Sequence, residues 1–212
     1  MLRIVVRPLS QAALAGASTP TFAGQGECIP WVYYDTQSYA AAGTAGPIAY
    51  FQTVQSDKTL GNIDQGGQLP AGYYFQINSF QLDWFGVPSN QTAAAATTAP
   101  VGSGNDLFIL FYTARALFQF VISSKLYVQV PATYLHSSGG PVVVTAGAYA
   151  AATQDQFVLN SYPDGDYYIG NNIVLPPQQA FSASLIFAGA NAISTATQIR
   201  IGMAGALTRR VL

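Results

Sequence analysis

Residues Ile173–Phe187 read IVLPPQQAFSASLIF. The second half alternates strictly, with Phe181, Ala183, Leu185 and Phe187 on one parity and Ser182, Ser184 and Ile186 on the other. That is the pattern of a strand with one buried face. The first half is apolar as far as Leu175 and then meets Pro176 and Pro177, which have no N–H to offer a ladder and so end any pairing upstream. The prolines are expected to keep the chain extended. Gln178 and Gln179 add neutral hydrogen-bonding groups, suited to an interface where charge is costly. A strand that stops, a proline break and a new strand together predict a connection that crosses from one sheet to another.

The same period of two recurs from about residue 29 to the end, separated by clusters of Gly, Pro, Asn, Ser and Asp. IPWVYYD (Ile29–Asp35) and PIAYFQTV (Pro47–Val54) read as short aromatic strands flanking a SYAAAGTAG linker. In YYFQINSFQLDWF (Tyr73–Phe85), Phe75 and Ile77 share one face, but beyond Ser79 the inward set becomes Phe80, Leu82 and Trp84. A one-residue change of phase inside a strand predicts a bulge near Ser79. ALFQFVISSKLYVQV (Ala116–Val130) keeps Phe118, Phe120, Ile122, Leu126, Val128 and Val130 on one parity, as one long strand or as two meeting at SSK.

PVVVTA (Pro141–Ala146) and DQFVLNS (Asp155–Ser161) add short strands, and YPDGDYYIGNN (Tyr162–Asn172) supplies Asp-Gly and Gly-Asn turn chemistry. TQIRIGM (Thr197–Met203) alternates like AFSASLIF, and the two are expected to be adjacent antiparallel strands. NDLFILFYTAR, capped by Asn105 or Asp106, predicts one short helix. The Ala/Thr/Gly-rich Val87–Asn105 run reads as a long loop. The total is about eight to ten strands in an all-β sandwich of two antiparallel sheets, for which a single jelly roll is the natural closure. The expected division is an N-terminal arm and first connection over 1–28, followed by one domain over 29–212.

Composition narrows the function. The chain has 212 residues, 50% hydrophobic and only 8% charged, against roughly 25% charged in an ordinary soluble domain. A surface so poor in charge points to partners or a membrane. No apolar run reaches the roughly 18 residues of a membrane-spanning helix. The N-terminal apolar core, Ile4–Val6, is too short for a signal peptide, so none is expected. Cys28 stands alone, which excludes an intrachain disulfide, and it reads as a small buried hydrophobe.

Charge is also unevenly placed. Arg3 and Arg7 lie near the start and Arg200, Arg209 and Arg210 near the end, while every acid falls between Glu27 and Asp166. The bland reading is solvated arginines; the sharper one is that both basic ends meet phosphate, from nucleic acid or lipid headgroups.

Catalytic chemistry finds little to stand on. His136 is the one imidazole and sits in a loop-like YLHSSGG without a nucleophile elbow. Asp164 and Asp166 flank Gly165 in a turn, where Asp is favoured by local backbone hydrogen bonding. No cysteine or histidine set suits a metal, and no glycine-rich phosphate cradle opens a helix. Neither an enzyme, nor a cofactor, nor a small-molecule substrate is expected. The pairs Tyr33–Tyr34, Tyr73–Tyr74 and Tyr167–Tyr168 each put one ring inward and one outward, and outward tyrosines without charge suit protein interfaces or a sugar-binding face.

The segment IVLPPQQAFSASLIF followed by IRIGMAGALTRRVL resembles the last two strands of major capsid proteins of tailless icosahedral bacteriophages with jelly-roll shells. In those, a Pro/Gln lead-in opens an alternating strand and an R-I-x-x-x-G-x-L-x-R strand closes the domain, a pattern met here by Arg200, Ile201, Gly205, Leu207 and Arg209. LFQFVISSKLYVQVPATYL is similar to their mid-domain hairpin. The resemblance covers about half of the chain and does not extend to its N-terminal third.

It implies a coat subunit, made in the host cytoplasm and located in the virion, that assembles with itself into trimeric or hexameric capsomers and with other virion proteins. Arg3, Arg7, Arg209 and Arg210 would then face the packaged nucleic acid or an internal membrane. The alternative function is a carbohydrate-binding β-sandwich, lectin-like or receptor-binding.

Overall fold

The computed structural model describes residues 26–86, 115–135, 167–193 and 196–210, with the backbone alone at 84–86, 168, 170–172 and 210. These form β1 (Gly26–Tyr39), β2 (Gly46–Tyr50), β3 (Tyr73–Gly86), β4 (Leu117–Ile122), β5 (Lys125–Pro131), a 3-10 turn (Ala132–Leu135), β6 (Tyr167–Leu175), β7 (Phe181–Phe187) and β8 (Thr197–Arg210). Two antiparallel four-stranded sheets result, with orders β1-β8-β3-β6 and β2-β7-β4-β5.

Those orders have a simple origin. Drawn as one long hairpin with its turn between β4 and β5, the chain sets β1 beside β8, β2 beside β7, β3 beside β6 and β4 beside β5. All of these pairs are present. The remaining pairings, β3 with β8 and β4 with β7, join the wound hairpin into two sheets.

The period of two places the core between the sheets. β7 alternates buried and half-buried over its whole length, as does β4. Phe80 of β3 packs against Phe118 and Phe120 of β4, each with ring centroids 5.0 Å apart, so an aromatic seam joins the sheets. Tyr39 of β1 meets Phe187 of β7 edge-on at 5.0 Å, and the wedge is completed by Phe120 against Phe181 of β7. These rings are all but inaccessible to solvent. Tilted and edge-on pairings satisfy the ring quadrupoles better than flat stacks would.

The predicted phase change in β3 is real. Ile77 faces Gly205 and Ser79 faces Ala204, so Asn78 is the extra residue against β8. Phe75, Ile77, Phe80 and Leu82 are all buried as a result. The bulge pushes backbone toward β8, and a Cβ on Gly205 would lie 1.8 Å from the Gln76 carbonyl oxygen. Only glycine fits there. A second irregularity, between Phe120 and Val121, leaves Tyr127 as the extra residue on β5.

Several expectations need correction. β7 and β8 are not neighbours: β7 lies in one sheet and β8 in the other, so the chain changes sheets after Phe187 as well as at Pro176–Pro177. Strict alternation makes a strand but does not name its partner. The lead-in is a turn instead of an extended segment, because Gln178 takes a φ of 58° and donates its N–H to Leu69 O at 3.0 Å. Gln179 is likewise used within the chain, donating to Ser123 Oγ. Leu126 is exposed, because the extra residue at Tyr127 turns it outward beside Val121.

Residues 116–130 form two strands, with Ser123 at φ 56° in the turn. β2 stops at Tyr50, because Phe51 takes φ 65°. Gly170 and Asn171 lie within β6, which carries three more residues than β3 between the pairs Ile77–Ile173 and Ser79–Tyr168. Cys28 is exposed, near the start of β1, where the strand runs mostly exposed until Tyr33. The strands expected at Pro141–Ala146 and Asp155–Ser161, the short helix and the Val87–Asn105 loop lie outside the described residues.

Gly205→Ala is expected to destabilise the domain by about 1–3 kcal/mol through overpacking against fixed backbone. Phe80→Ala should cost about 3–5 kcal/mol through the cavity it leaves in the seam. Both are read from denaturant midpoints.

Candidate functional site

One end of the sandwich is closed by the segment between β2 and β3, whose Ile63 and Leu69 are fully buried. It bonds to both sheets. Toward β7, Phe181 N–H donates to Gly67 O at 2.7 Å. Toward β1, the side chain of Asn62 acts as a surrogate strand: its Oδ1 accepts from Tyr34 N at 2.9 Å and its Nδ2 donates to Val32 O at 2.7 Å.

Asp35 anchors the start of this segment. It lies on the same parity of β1 as buried Tyr33 and Tyr39 and is itself fully buried. Its Oδ2 accepts the Phe51 N–H at 2.6 Å and a Gln37 amide N–H at 2.9 Å, while Oδ1 accepts from Gln55 at 3.1 Å. The carboxylate thus holds the turn in which Phe51 carries its positive φ. All three donors belong to the surrounding chain, and their convergence on the two carboxylate oxygens describes a structural clamp. Its sequence signal was available: an acid on the inward parity of an alternating strand requires partners.

Tyr50 lies beside it. The phenol oxygen is buried without a hydrogen-bond partner among the described residues. Burial chiefly, and the Asp35 charge second, hold its pKa well above the ordinary 10.0. Burial also raises Tyr33 and Tyr74.

The basic residues divide. Arg209 Nε donates to Glu27 Oε2 at 3.0 Å across the β1–β8 pair, with both side chains about two-fifths exposed. That bond, with the Glu27 charge, raises the Arg209 pKa. Arg209 is therefore a paired cation, and an exposed pair of this kind contributes little to stability. The side chain of Arg210 and the whole of Arg3 and Arg7 lie outside the described residues, so of the four expected contacts only Arg209 is described. Arg200, absent from that set, is better placed structurally: its guanidinium lies 4.8 Å from the Tyr34 ring centre, and Nε donates to Thr36 Oγ1 at 3.0 Å. Outward Tyr34 therefore does have an accompanying charge, contrary to expectation.

His136, Asp164 and Asp166 lie outside the described residues. Among the described residues no group of three or more His, Cys, Asp or Glu is placed to hold a metal, and no helix is long and apolar enough to cross a membrane.

The edge strands carry the remaining information. β1 is an edge, and its backbone groups at Val32 and Tyr34 point away from β8 into Asn62. Backbone direction alternates along a strand, so Pro30 points the same way and offers no N–H. β2 has five residues including Pro47, β5 combines Lys125, a bulge and Pro131, and β6 is irregular against β3. Among the described residues, each edge of both sheets thus carries a feature that discourages addition of a further strand.

Comparisons with protein-family models, curated proteins and solved structures give no match to this chain.

Asp35→Ala is expected to cost about 1–3 kcal/mol by orphaning the buried Phe51 N–H, and to open the 51–70 segment to limited proteolysis. For Tyr50 the sign follows from its raised folded-state pKa. The neutral phenol's contribution is fully present below the unfolded value of 10.0 and is lost as pH rises through the higher folded value. Because the buried hydroxyl has no partner among the described residues, Tyr50→Phe should leave stability near pH 7 unchanged or raised, and by removing the titrating group it should blunt unfolding above about pH 10, followed by circular dichroism and tyrosinate absorbance.

Proposed function

We infer that the chain is a structural virion protein, a coat subunit built on a single jelly roll that self-assembles into capsomers of an icosahedral shell. The observation that carries the reading is the strand order. Among the described residues eight strands, wound as one hairpin with order β1-β8-β3-β6 in one sheet and β2-β7-β4-β5 in the other, support the jelly-roll reading, a scaffold used by capsid and lectin domains alike. Fold alone does not assign function. The choice between those uses rests on the C-terminal resemblance, in which Gly205 now has a physical reason, and on the scarcity of charge.

The basic termini fit an anionic interior of genome or membrane. Arg209 enters that role already paired with Glu27, so Arg210 and the N-terminal Arg3 and Arg7 would carry more of it. A carbohydrate-binding sandwich is the second reading, favoured by the exposed rings of Tyr134 and Tyr127.

Purified chain is expected to form a stable oligomer or particle by light scattering and electron microscopy at micromolar concentration. A monomer that binds a glycan array reproducibly, and loses binding on Tyr134→Ala, would replace this reading with the second. Arg209→Gln with Arg210→Gln should reduce particle yield or nucleic-acid content without altering the thermal midpoint. Unchanged yield and content would remove the interior role.

A further inference from the structure

The sheet β2-β7-β4-β5 buries one face in the core and leaves the other outward. The register sorts that outward face into three rows running across the strands. The middle row is Ala49, Ser184, Gln119 and Gln129, small or neutral and capable of hydrogen bonding. On one side of it runs Pro47, Ile186, Leu117 and Pro131. On the other run Ser182, Val121 and Leu126, the last turned outward by the β5 bulge. Pro47, Ala49, Leu126, Gln129 and Pro131 are exposed, and the central-strand members half-buried. Lys125, at the β4–β5 turn, is the one charged residue in these four strands.

We propose that this face is an interface with a second copy of the chain, packed on the same face across a two-fold axis through the Gln119–Ser184 row. The pattern is apolar, polar and then mainly apolar, with Leu117 and Pro131 on one side of the middle matched by Val121 and Leu126 on the other. A two-fold through that row therefore sets the Pro47–Leu117 row of one copy against the Val121–Leu126 row of the other and places the amides and hydroxyls of the middle row opposite each other. That is the self-complementarity an isologous contact requires.

The absence of charge supports the same occupant. A charged patch would repel its own copy, whereas a neutral one tolerates it, and depletion of charge marks the centres of interfaces. Among the described residues the edges disfavour the competing route, since Pro30, the Asn62 cap, Pro47 and the β5 bulge discourage strand addition and leave a face for contact. The inference rests on the assembly reading above in needing a second copy, and adds the surface and its symmetry.

The test uses full-length chain as wild type, Gln119→Lys and Gln119→Glu, with mass by light scattering and the thermal midpoint by circular dichroism. An outward lysine or glutamate on a half-buried central position should leave the midpoint within a few degrees. Each charged variant should associate at least about tenfold more weakly, because like charges meet across the axis. An equimolar mixture of the two should recover association, because Lys then meets Glu.

Wild-type-like association of Gln119→Lys would overturn this surface and leave the assembly reading standing. Loss in both variants without recovery on mixing would overturn the two-fold placement. A wild-type monomer would overturn both the interface and the assembly reading. Should Gln119→Lys unfold, Ser184→Lys and Ser184→Glu repeat the experiment on the same row and decide it.

Discussion

The packing of Phe80 between Phe118 and Phe120 governs much else in this molecule, because it is where one sheet meets the other. Phe80 can face inward only if β3 changes phase after Ile77, since Phe75 and Ile77 on the opposite parity are also buried. The bulge at Asn78 makes that change, the bulge brings the Gln76 carbonyl against β8, and Gly205 is the residue that accepts it. One aromatic contact thus links three strands and explains a glycine at a position where no turn requires one.

Among the described residues, the sandwich made by winding one hairpin has an end to be closed and four sheet edges, and the chain treats them separately. The open end receives the segment between β2 and β3, fixed by the Asp35 carboxylate on one sheet and by the Phe181–Gly67 bond on the other. Burying an unpaired carboxylate would be costly, and three donors offset that cost here. The edges are blunted by proline, by bulges and by the Asn62 amide, which occupies the backbone groups a neighbouring strand would use. The self-association proposed for this molecule is accordingly directed to a face and not to an edge. Low overall charge, which would be a liability on a free surface, is consistent with surfaces meant to meet other copies.

The candidate contacts were only partly legible. Arg209 stood out by its place in the C-terminal run, but its bond to Glu27 depends on β1 lying beside β8, residues separated by most of the chain. Arg200 passed as one more terminal cation, although Tyr34, Thr36 and the loop carbonyl of Thr59 hold it in place. Gln179 looked like an interface group and is a bond to Ser123. In each case the residue type was informative and the partner was not, because the partners are distant in sequence.

By itself the sequence determined that the chain is all-β, that its strands bury one face, that β3 changes phase near Ser79 and that Pro176–Pro177 separate two sheets. These follow from local chemistry: a period of two, prolines without N–H groups, and apolar side chains that must leave water. Tertiary structure alone decided the rest. β7 and β8 fell into different sheets, Leu126 turned outward, Cys28 stayed exposed and Asp35 became a clamp, because pairing and burial depend on which distant strand arrives beside each residue. Alternation specifies a face for every side chain, and only the winding of the hairpin specifies what that face meets.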